Sequence, residues 1–354
     1  MRLAKKPQFL KGVIEGFYGR PWSFETRIAY SDFLPHLGMD TYLYCPKADP
    51  YLRKKWQQPW PEPMLDEMKA VAAAYARKNL YFGVGLSPFS LYSNYDLRGK
   101  GLLEAKISEL NKLDAPLLAV LFDDMPGDME CLAATQAEIV DDVLRWTNAK
   151  RVMVCPTYYS FDPVLERFFG EMPVDYWQQL GKALSAEVDI LWTGNKVCSD
   201  AVSVADIEAV EAQLGRQVTL WDNYPVNDGA QRSNFLYGEK LAHRDKALST
   251  RLGGHLCNPM NQGLVSLLAL QGMNEVYSGI TIDDDWLRAI WGDRVFDQLM
   301  ADFGEFQSLG LQEIDSGRRA HLSSVYGLLP GAAAREVAQW LRGEYAFDPA
   351  CLTD

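Results

Sequence analysis

The sequence holds only four histidines, and just one of them, His255, falls in a strand-like run. That scarcity disfavours histidine acid–base chemistry and His-rich metal sites. Six cysteines stand at 45, 131, 155, 198, 257 and 351, with no C-x-x-C pair among them, so no metal knuckle is suggested. There is no H-E-x-x-H, no G-x-S-x-G and no G-x-x-x-x-G-K-[ST], and no G-x-G-x-x-G follows the first strand-like run. Zinc peptidase, serine hydrolase and nucleotide-binding readings lose ground together. Apolar runs such as Pro116–Phe122 are too short to span a bilayer. The basic start, Met1–Lys11, has no apolar core of a secretory leader, so the expected compartment is the cytoplasm and the expected state of the cysteines is reduced. Basic residues are outnumbered, 35 Lys and Arg against 47 Asp and Glu, for a net charge of −12. Such a surface repels phosphate backbones, so no nucleic-acid partner and no membrane partner is expected.

What the chain does have is a globular composition, 48% hydrophobic and 23% charged over 354 residues. That length supports an ordinary core without disulfide or metal staples. It fits two domains, or one barrel with an addition. Aromatics are plentiful, ten tryptophans and seventeen tyrosines, and most are expected in the core. Aromatic rings of this kind also suit the apolar face of a sugar.

The pattern alternates strand and helix. Strands are expected at Phe9–Phe17, Thr41–Lys47, Tyr81–Ser87, Leu117–Asp123, Arg151–Thr157, Asp189–Gly194, Val218–Asp222 and Gly254–Asn258. Helices are expected after Ser23 and at Glu62–Lys78, Leu102–Leu113, Leu132–Asn148, Val174–Leu184, Val204–Leu214 and Gly263–Tyr277. The strand runs are continuously apolar, as in strands covered on both faces. Eight such units fit a (β/α)8 barrel over residues 1–280. Residues 281–354 have no strand-like run and carry 13 Asp and Glu against 6 Arg; they read as a small helical appendage.

In such a barrel, function sits at the C-terminal ends of the strands. The residues just past each run form a ring of carboxylates, amides, one lysine and aromatics: Glu15 to Trp22, Lys47 and Asp49, Asp123 and Asp124, Tyr158 and Tyr159, Trp192 and Thr193, Trp221 to Asn223 with Asn227 and Asp228, and Asn258. The Asp123–Asp124 pair is the sharpest feature. Adjacent carboxylates raise one another's proton affinity, as a general acid near neutrality needs. A helix cap or a magnesium pair are the ordinary alternatives. Most glycosidases place two carboxylates on opposite sides of the scissile bond. Sequence neighbours serve better from one side, with a nucleophile supplied by the substrate. The acetamido oxygen of a 2-acetamido sugar can attack C1 to give an oxazoline while one Asp protonates the leaving oxygen.

These residues stand in runs that closely resemble the O-GlcNAcase family, glycoside hydrolase family 84. The runs are Gly12-Val-Ile-Glu-Gly-Phe-Tyr-Gly-Arg-Pro-Trp22, Tyr42-Leu-Tyr-Cys-Pro-Lys47 with Asp49-Pro50, Leu121-Phe-Asp-Asp124, Cys155-Pro-Thr157 with Tyr159, Leu191-Trp-Thr-Gly194, Trp221-Asp-Asn223 with Asn227-Asp228, and Asn258-Pro259. The resemblance implies a retaining, substrate-assisted β-N-acetylglucosaminidase on a (β/α)8 barrel, with no cofactor and no metal. It makes Asp123 the group that orients the acetamido and Asp124 the general acid and then base. It puts Tyr159 on the acetamido carbonyl, and Gly16 (through its backbone) and Lys47 on sugar hydroxyls. Asn223 would assist at the acetamido side, Trp221 would wall the pocket, Asp228 would hold the 4- and 6-hydroxyls, and Asn258 a ring hydroxyl. Cys155 and Thr193 would line the methyl pocket. Each has a structural alternative: a turn glycine, a solvated lysine, packing aromatics, turn-forming asparagines, barrel filler.

The chain departs from the family pattern at Ala48, Leu52, Tyr158 and Phe89, all where the pocket's lip is expected. The expected partner is a GlcNAc-bearing glycoside or glycoprotein, with a homo-oligomer possible through apolar helices near Trp286, Trp291 and Trp340. Two rivals remain. One is a non-catalytic GlcNAc-binding or scaffold barrel, which would bind without turnover. The other is a magnesium-dependent phosphoryl enzyme, which a chelator would silence.

Overall fold

A computed structural model describes residues 9–353. Most of the basic start, residues 1–8, lies outside the described residues.

Eight strands close into one parallel barrel in sequence order: β1 Leu10–Glu15, β2 Thr41–Tyr44, β3 Tyr81–Leu86, β4 Leu117–Leu121, β5 Arg151–Cys155, β6 Asp189–Trp192, β7 Val218–Asp222 and β8 Gly254–Cys257. The seam pairs Leu10 with Gly254 and Val13 with Cys257. Nearly every strand residue is buried, because side chains fill the bore on one face and meet helices on the other. The (β/α)8 expectation is met. The strands are shorter than the apolar runs suggest, yet Cys45 N–H still bonds Glu15 O at 3.2 Å and Lys47 N–H bonds Phe17 O at 3.0 Å. The chain leaving β2 is thereby held in register with the chain leaving β1, and Lys47 is fixed at the barrel mouth.

Around the barrel run α1 Phe24–His36, α2 Glu62–Arg77, α3 Leu97–Leu110, α4 Leu132–Trp146, α5 Val164–Phe169, α6 Tyr176–Ala183, α7 Val204–Leu214, α8 Leu248–Arg251, α9 Ser266–Leu270 and α10 Gly272–Ser278. Ser23 caps α1 through Thr26 N–H at 3.2 Å, and Ser203 with Asp206 forms a reciprocal capping box on α7. Three readings need correction. Helix α3 starts five residues before Leu102, because the Asp96 carboxylate accepts from Gly99 N–H at 2.8 Å and overrides the glycines at 99 and 101. Helix α5 precedes the one expected from Val174, and Val174 itself is exposed outside α6. The span Gly263–Tyr277 becomes two short helices, α9 and α10.

Beyond residue 280 come α11 Asp284–Trp291, α12 Asp293–Ser308, α13 Gly310–Glu313, α14 Ser316–Leu328 and α15 Ala332–Leu341. Trp340 Nε1 donates to Ser233 O at 3.1 Å and Trp291 Nε1 to Leu264 O at 3.2 Å. The Glu336 carboxylate of α15 accepts from Leu264 and Val265 N–H, at 2.9 and 3.1 Å, just ahead of α9. The helical region is thus seated beside the loop after β8. Among the described residues no helix is long and apolar enough to cross a membrane, and all six cysteines are unbridged.

Candidate active site

Glu15 ends β1 facing away from the mouth. It is fully buried, accepts two bonds from the Arg27 guanidinium at 2.8 Å each, and also takes the Tyr42 hydroxyl. It pins α1 to the barrel and takes no part in the cavity. Gly16 comes next. A Cβ there would stand 2.3 Å from Trp221 Cζ2, so only glycine lets the indole lie against the backbone. Tyr18 N–H donates to Asp228 Oδ2 at 2.7 Å, and the Tyr18 hydroxyl reaches across the mouth to Asp124 Oδ2 at 2.8 Å.

From the end of β2, the Lys47 ammonium pairs with Asp123 Oδ2, both groups being buried. It also lies 5.6 Å from the centre of the Trp221 ring. Asp49 turns away and accepts from Tyr44 and Trp60, each at 3.0 Å. The lip departures separate here: Ala48 is exposed and Leu52 is buried.

The carboxylate pair lies just past β4. Asp123 Oδ1 is buried and has no hydrogen-bond partner among the described residues. Asp124 takes a left-handed backbone, φ 54°, which turns its carboxylate from its neighbour's direction. Its Oδ1 accepts from the Tyr159 hydroxyl at 2.9 Å and its Oδ2 from Tyr18. Burial, with the Asp123 charge beside it, raises the Asp124 pKa; Lys47, Arg53 and the Tyr18 bond act against that rise. Of the two neighbouring tyrosines after β5, Tyr159 faces the mouth. Tyr158 donates to Gly170 O at 2.7 Å, over Gly127.

The loops after β7 and β8 are tied by amides. Asn223 Oδ1 accepts from Trp221 Nε1 and Asn258 Nδ2, both at 2.9 Å, while its Nδ2 donates to Val197 O at 2.8 Å. Asn258 Oδ1 accepts from Gly16 N–H at 3.2 Å. One ladder therefore locks Gly16, Asn258, Asn223 and Trp221. Asp228 is pushed up to about 6 by burial, against the Tyr18 N–H bond that favours its charged form. Behind this wall, Asp222 accepts two bonds from Arg244 at 2.8 Å and one from His255 at 2.9 Å. Burial opposes its charge, but the Arg244 pairing wins and lowers it to about 2. Asp222, His255 and Cys257 are spaced as metal ligands could be. Both carboxylate oxygens already serve Arg244, so this donor set fits an ion poorly.

The structure brings all eleven residues to which the resemblance gives a role to one cavity: Gly16, Lys47, Asp123, Asp124, Cys155, Tyr159, Thr193, Trp221, Asn223, Asp228 and Asn258. It adds Tyr18, Val197, Cys198, Val226, Arg232, Cys351 and Thr353. Tyr18 lies inside the Gly12–Trp22 run and could have been found there. Arg53, which touches the backbone of the pair, and the two residues from the end of the described chain carry no local signal. A cavity with two phenols on one carboxyl and an orphaned oxygen on its neighbour can protonate one group while accepting an N–H from another.

Residues 11–290 match the β-N-acetylglucosaminidase family. The chain is 29% identical to the protein O-GlcNAcases of Rattus norvegicus and Mus musculus over 261 residues, 71% of this chain and 28% of each relative. It therefore spans just over a quarter of the length of those curated relatives. An O-GlcNAc hydrolase mutant from Thermobaculum terrenum superimposes with a TM-score of 0.75 at 26% identity, covering 96% of this chain and 81% of that one.

Proposed function

The chain belongs to the β-N-acetylglucosaminidase family, and from that premise we propose that it is a glycoside hydrolase removing terminal β-linked GlcNAc with retention, through an oxazoline formed by the substrate's own acetamido group. The observation that carries the reading is Asp123 Oδ1. A buried carboxylate oxygen without a donor is costly to maintain. An acetamide N–H is a donor of the right kind for it, because its other oxygen is held by Lys47.

In the first step Asp123 takes the acetamide N–H and supports the positive charge that grows there. The acetamido carbonyl oxygen attacks C1, and the bond from C1 to the leaving oxygen breaks. Asp124 gives that oxygen its proton. In the second step Asp124, now a carboxylate, accepts a proton from water as the water attacks C1 and reopens the ring. Two inversions at C1 give retention. The Tyr159 hydroxyl, which bonds Asp124, is the donor available to the acetamido carbonyl. Cys155 and Thr193 frame the acetyl methyl. The ladder from Gly16 to Trp221 fixes the sugar's plane, with Lys47, Asn258 and the Gly16 carbonyl for hydroxyls. Asp228 serves the 4- and 6-hydroxyls.

No step calls on a cofactor. The natural substrate on this reading is a GlcNAc-bearing glycoside or glycoprotein. The unbridged cysteines suit a reducing, cytoplasmic setting. We read residues 1–280 as the catalytic barrel and 281–354 as its helical appendage.

The test is hydrolysis of aryl β-GlcNAc against the same glycosides with increasingly fluorinated N-acyl groups. A steep fall in rate with fluorination is expected, since fluorine drains the attacking oxygen. A rate indifferent to fluorine would assign the nucleophile to the enzyme and overturn the mechanism. Binding without turnover would favour a sugar-binding barrel.

A further inference from the structure

Arg53 is buried, 5% exposed, and none of the ion pairs among the described residues includes it. An unpaired guanidinium in such a place is expensive unless its charge acts on something nearby. Its Nη2 donates to Asp124 O at 3.0 Å and to the Tyr18 hydroxyl at 3.3 Å. Its Nη1 donates to Ser87 Oγ at 3.1 Å and lies 3.5 Å from Asp123 O. The Tyr18 and Phe89 rings flank the guanidinium, with centroids 5.9 and 5.3 Å from it. One cation therefore grips the backbone of both carboxylate residues, at the point where Asp124 turns through a left-handed φ.

Resting on the reading above, we propose that Arg53 is a positioning residue: it fixes the turn between Asp123 and Asp124 and, through the Tyr18 hydroxyl, holds the general acid in aim and in tune. Groups facing Asp124 come from every side of the mouth: Tyr18 after β1, Lys47 and Arg53 after β2, Asp123 beside it, Cys155 at the end of β5 and Tyr159 after it, and Asp228 after β7. Burial and Asp123 hold the proton on; Arg53, Lys47 and Tyr18 loosen it. Without Arg53 the acid would hold its proton more tightly and protonate the leaving oxygen less readily. The guanidinium nitrogen and Asp124 Oδ2 are no more than about 6 Å apart through the Tyr18 oxygen.

The test compares Arg53→Met, Arg53→Lys and Tyr18→Phe with the parent. The readouts are the pH profile of kcat/KM on a poor-leaving-group glycoside and a 13C titration of the Asp124 carboxyl, which needs no turnover. We expect the basic limb and the carboxyl titration to move to higher pH in Arg53→Met, and in the same direction in Tyr18→Phe. Arg53→Lys should stay near the parent pH profile but lose kcat, because it keeps the charge and loses the fork. A folded Arg53→Met with an unmoved titration would overturn the role. Fluorination dependence of the parent tests the mechanism separately, so the two failures are distinguishable.

A different observation carries a second inference. Cys351 and Thr353 line the catalytic cavity, and the Thr353 side chain hydrogen-bonds Tyr159, the phenol assigned to the acetamido group. Nearby, the Tyr345 ring lies 5.1 Å from the Arg20 guanidinium, and Arg20 bonds Gln339 of α15 at 3.1 Å. The residues between, 346–353, are exposed or half-buried. None of them is fully buried, so displacing them gives up little apolar burial. We infer that this segment is an autoinhibitory strap, anchored near Tyr345, which must leave the mouth before sugar enters. Removing residues 347–354 should strengthen GlcNAc binding several-fold by calorimetry, Thr353→Ala should do so in part, and a peptide of residues 347–354 should compete. Equal affinity in the parent and in a variant with an unchanged melting temperature would overturn the strap. Absence of GlcNAc binding in both would instead count against the proposed function.

Discussion

Asp124→Asn separates the proposed acid from a merely structural carboxylate. Asp124 Oδ1 and Oδ2 each accept a phenol hydrogen, from Tyr159 and Tyr18 at 2.9 and 2.8 Å. The amide keeps one acceptor and presents an NH2 to the other phenol, which must turn and accept instead. That rearrangement costs about 1–3 kcal/mol and weighs equally on every substrate. Loss of the transferable proton is different. It removes about 10²–10⁴ in rate, roughly 3–5 kcal/mol of barrier, only where the leaving oxygen needs protonation. The assay is kcat/KM for aryl β-GlcNAc substrates spanning strongly acidic to weakly acidic phenols. The variant should show a steep dependence on phenol acidity that the parent lacks, with the weakest phenols losing about 10²–10⁴-fold more than the strongest. Equal losses across the series, in a variant with an unchanged fold, would refute Asp124 as the acid.

Gly16→Ala should raise KM and lower stability by about 1–3 kcal/mol, since the new Cβ meets the Trp221 ring at 2.3 Å; melting temperature and KM measured together check it. Asp222→Asn should destabilise by about 3–5 kcal/mol, because it strands the buried Arg244 charge, and chemical unfolding reads that loss directly. Glu336 is pushed up to about 7 by burial, with the Val265 and Leu264 N–H groups favouring its charged form. Its folded pKa exceeds its unfolded value, so the penalty is absent at acid pH, grows as pH rises from about 4.5 and reaches on the order of 3 kcal/mol above about 7. Melting temperature should fall from pH 5 to 8 in the parent and change less in Glu336→Gln; parallel curves would contradict the shift.

The barrel was legible because its strands are short apolar runs at regular spacing, and burial on both faces leaves no polar alternation to confuse them. Element ends were less so. Asp96 started α3 early through a single side-chain cap, a contest between one hydrogen bond and two glycines that local propensity does not decide. The candidate site was legible as residue types at strand ends, since a parallel barrel brings every such end to one mouth. The sequence by itself determined which groups stand there: the adjacent pair, the lysine, the amides and the aromatics. Tertiary structure alone decided how they divide the work. Glu15, Asp49 and Asp222, equally plausible in a list, were drawn to Arg27, to Tyr44 and Trp60, and to Arg244. Asp123 kept one oxygen without a partner, and Asp124 gained two phenols. Arg53 and Thr353 entered the picture only through contacts that span 71 and 194 positions of chain. Charge and hydrogen-bond partnership depend on distances of a few ångströms between segments far apart in sequence, and those distances exist only once the barrel has closed.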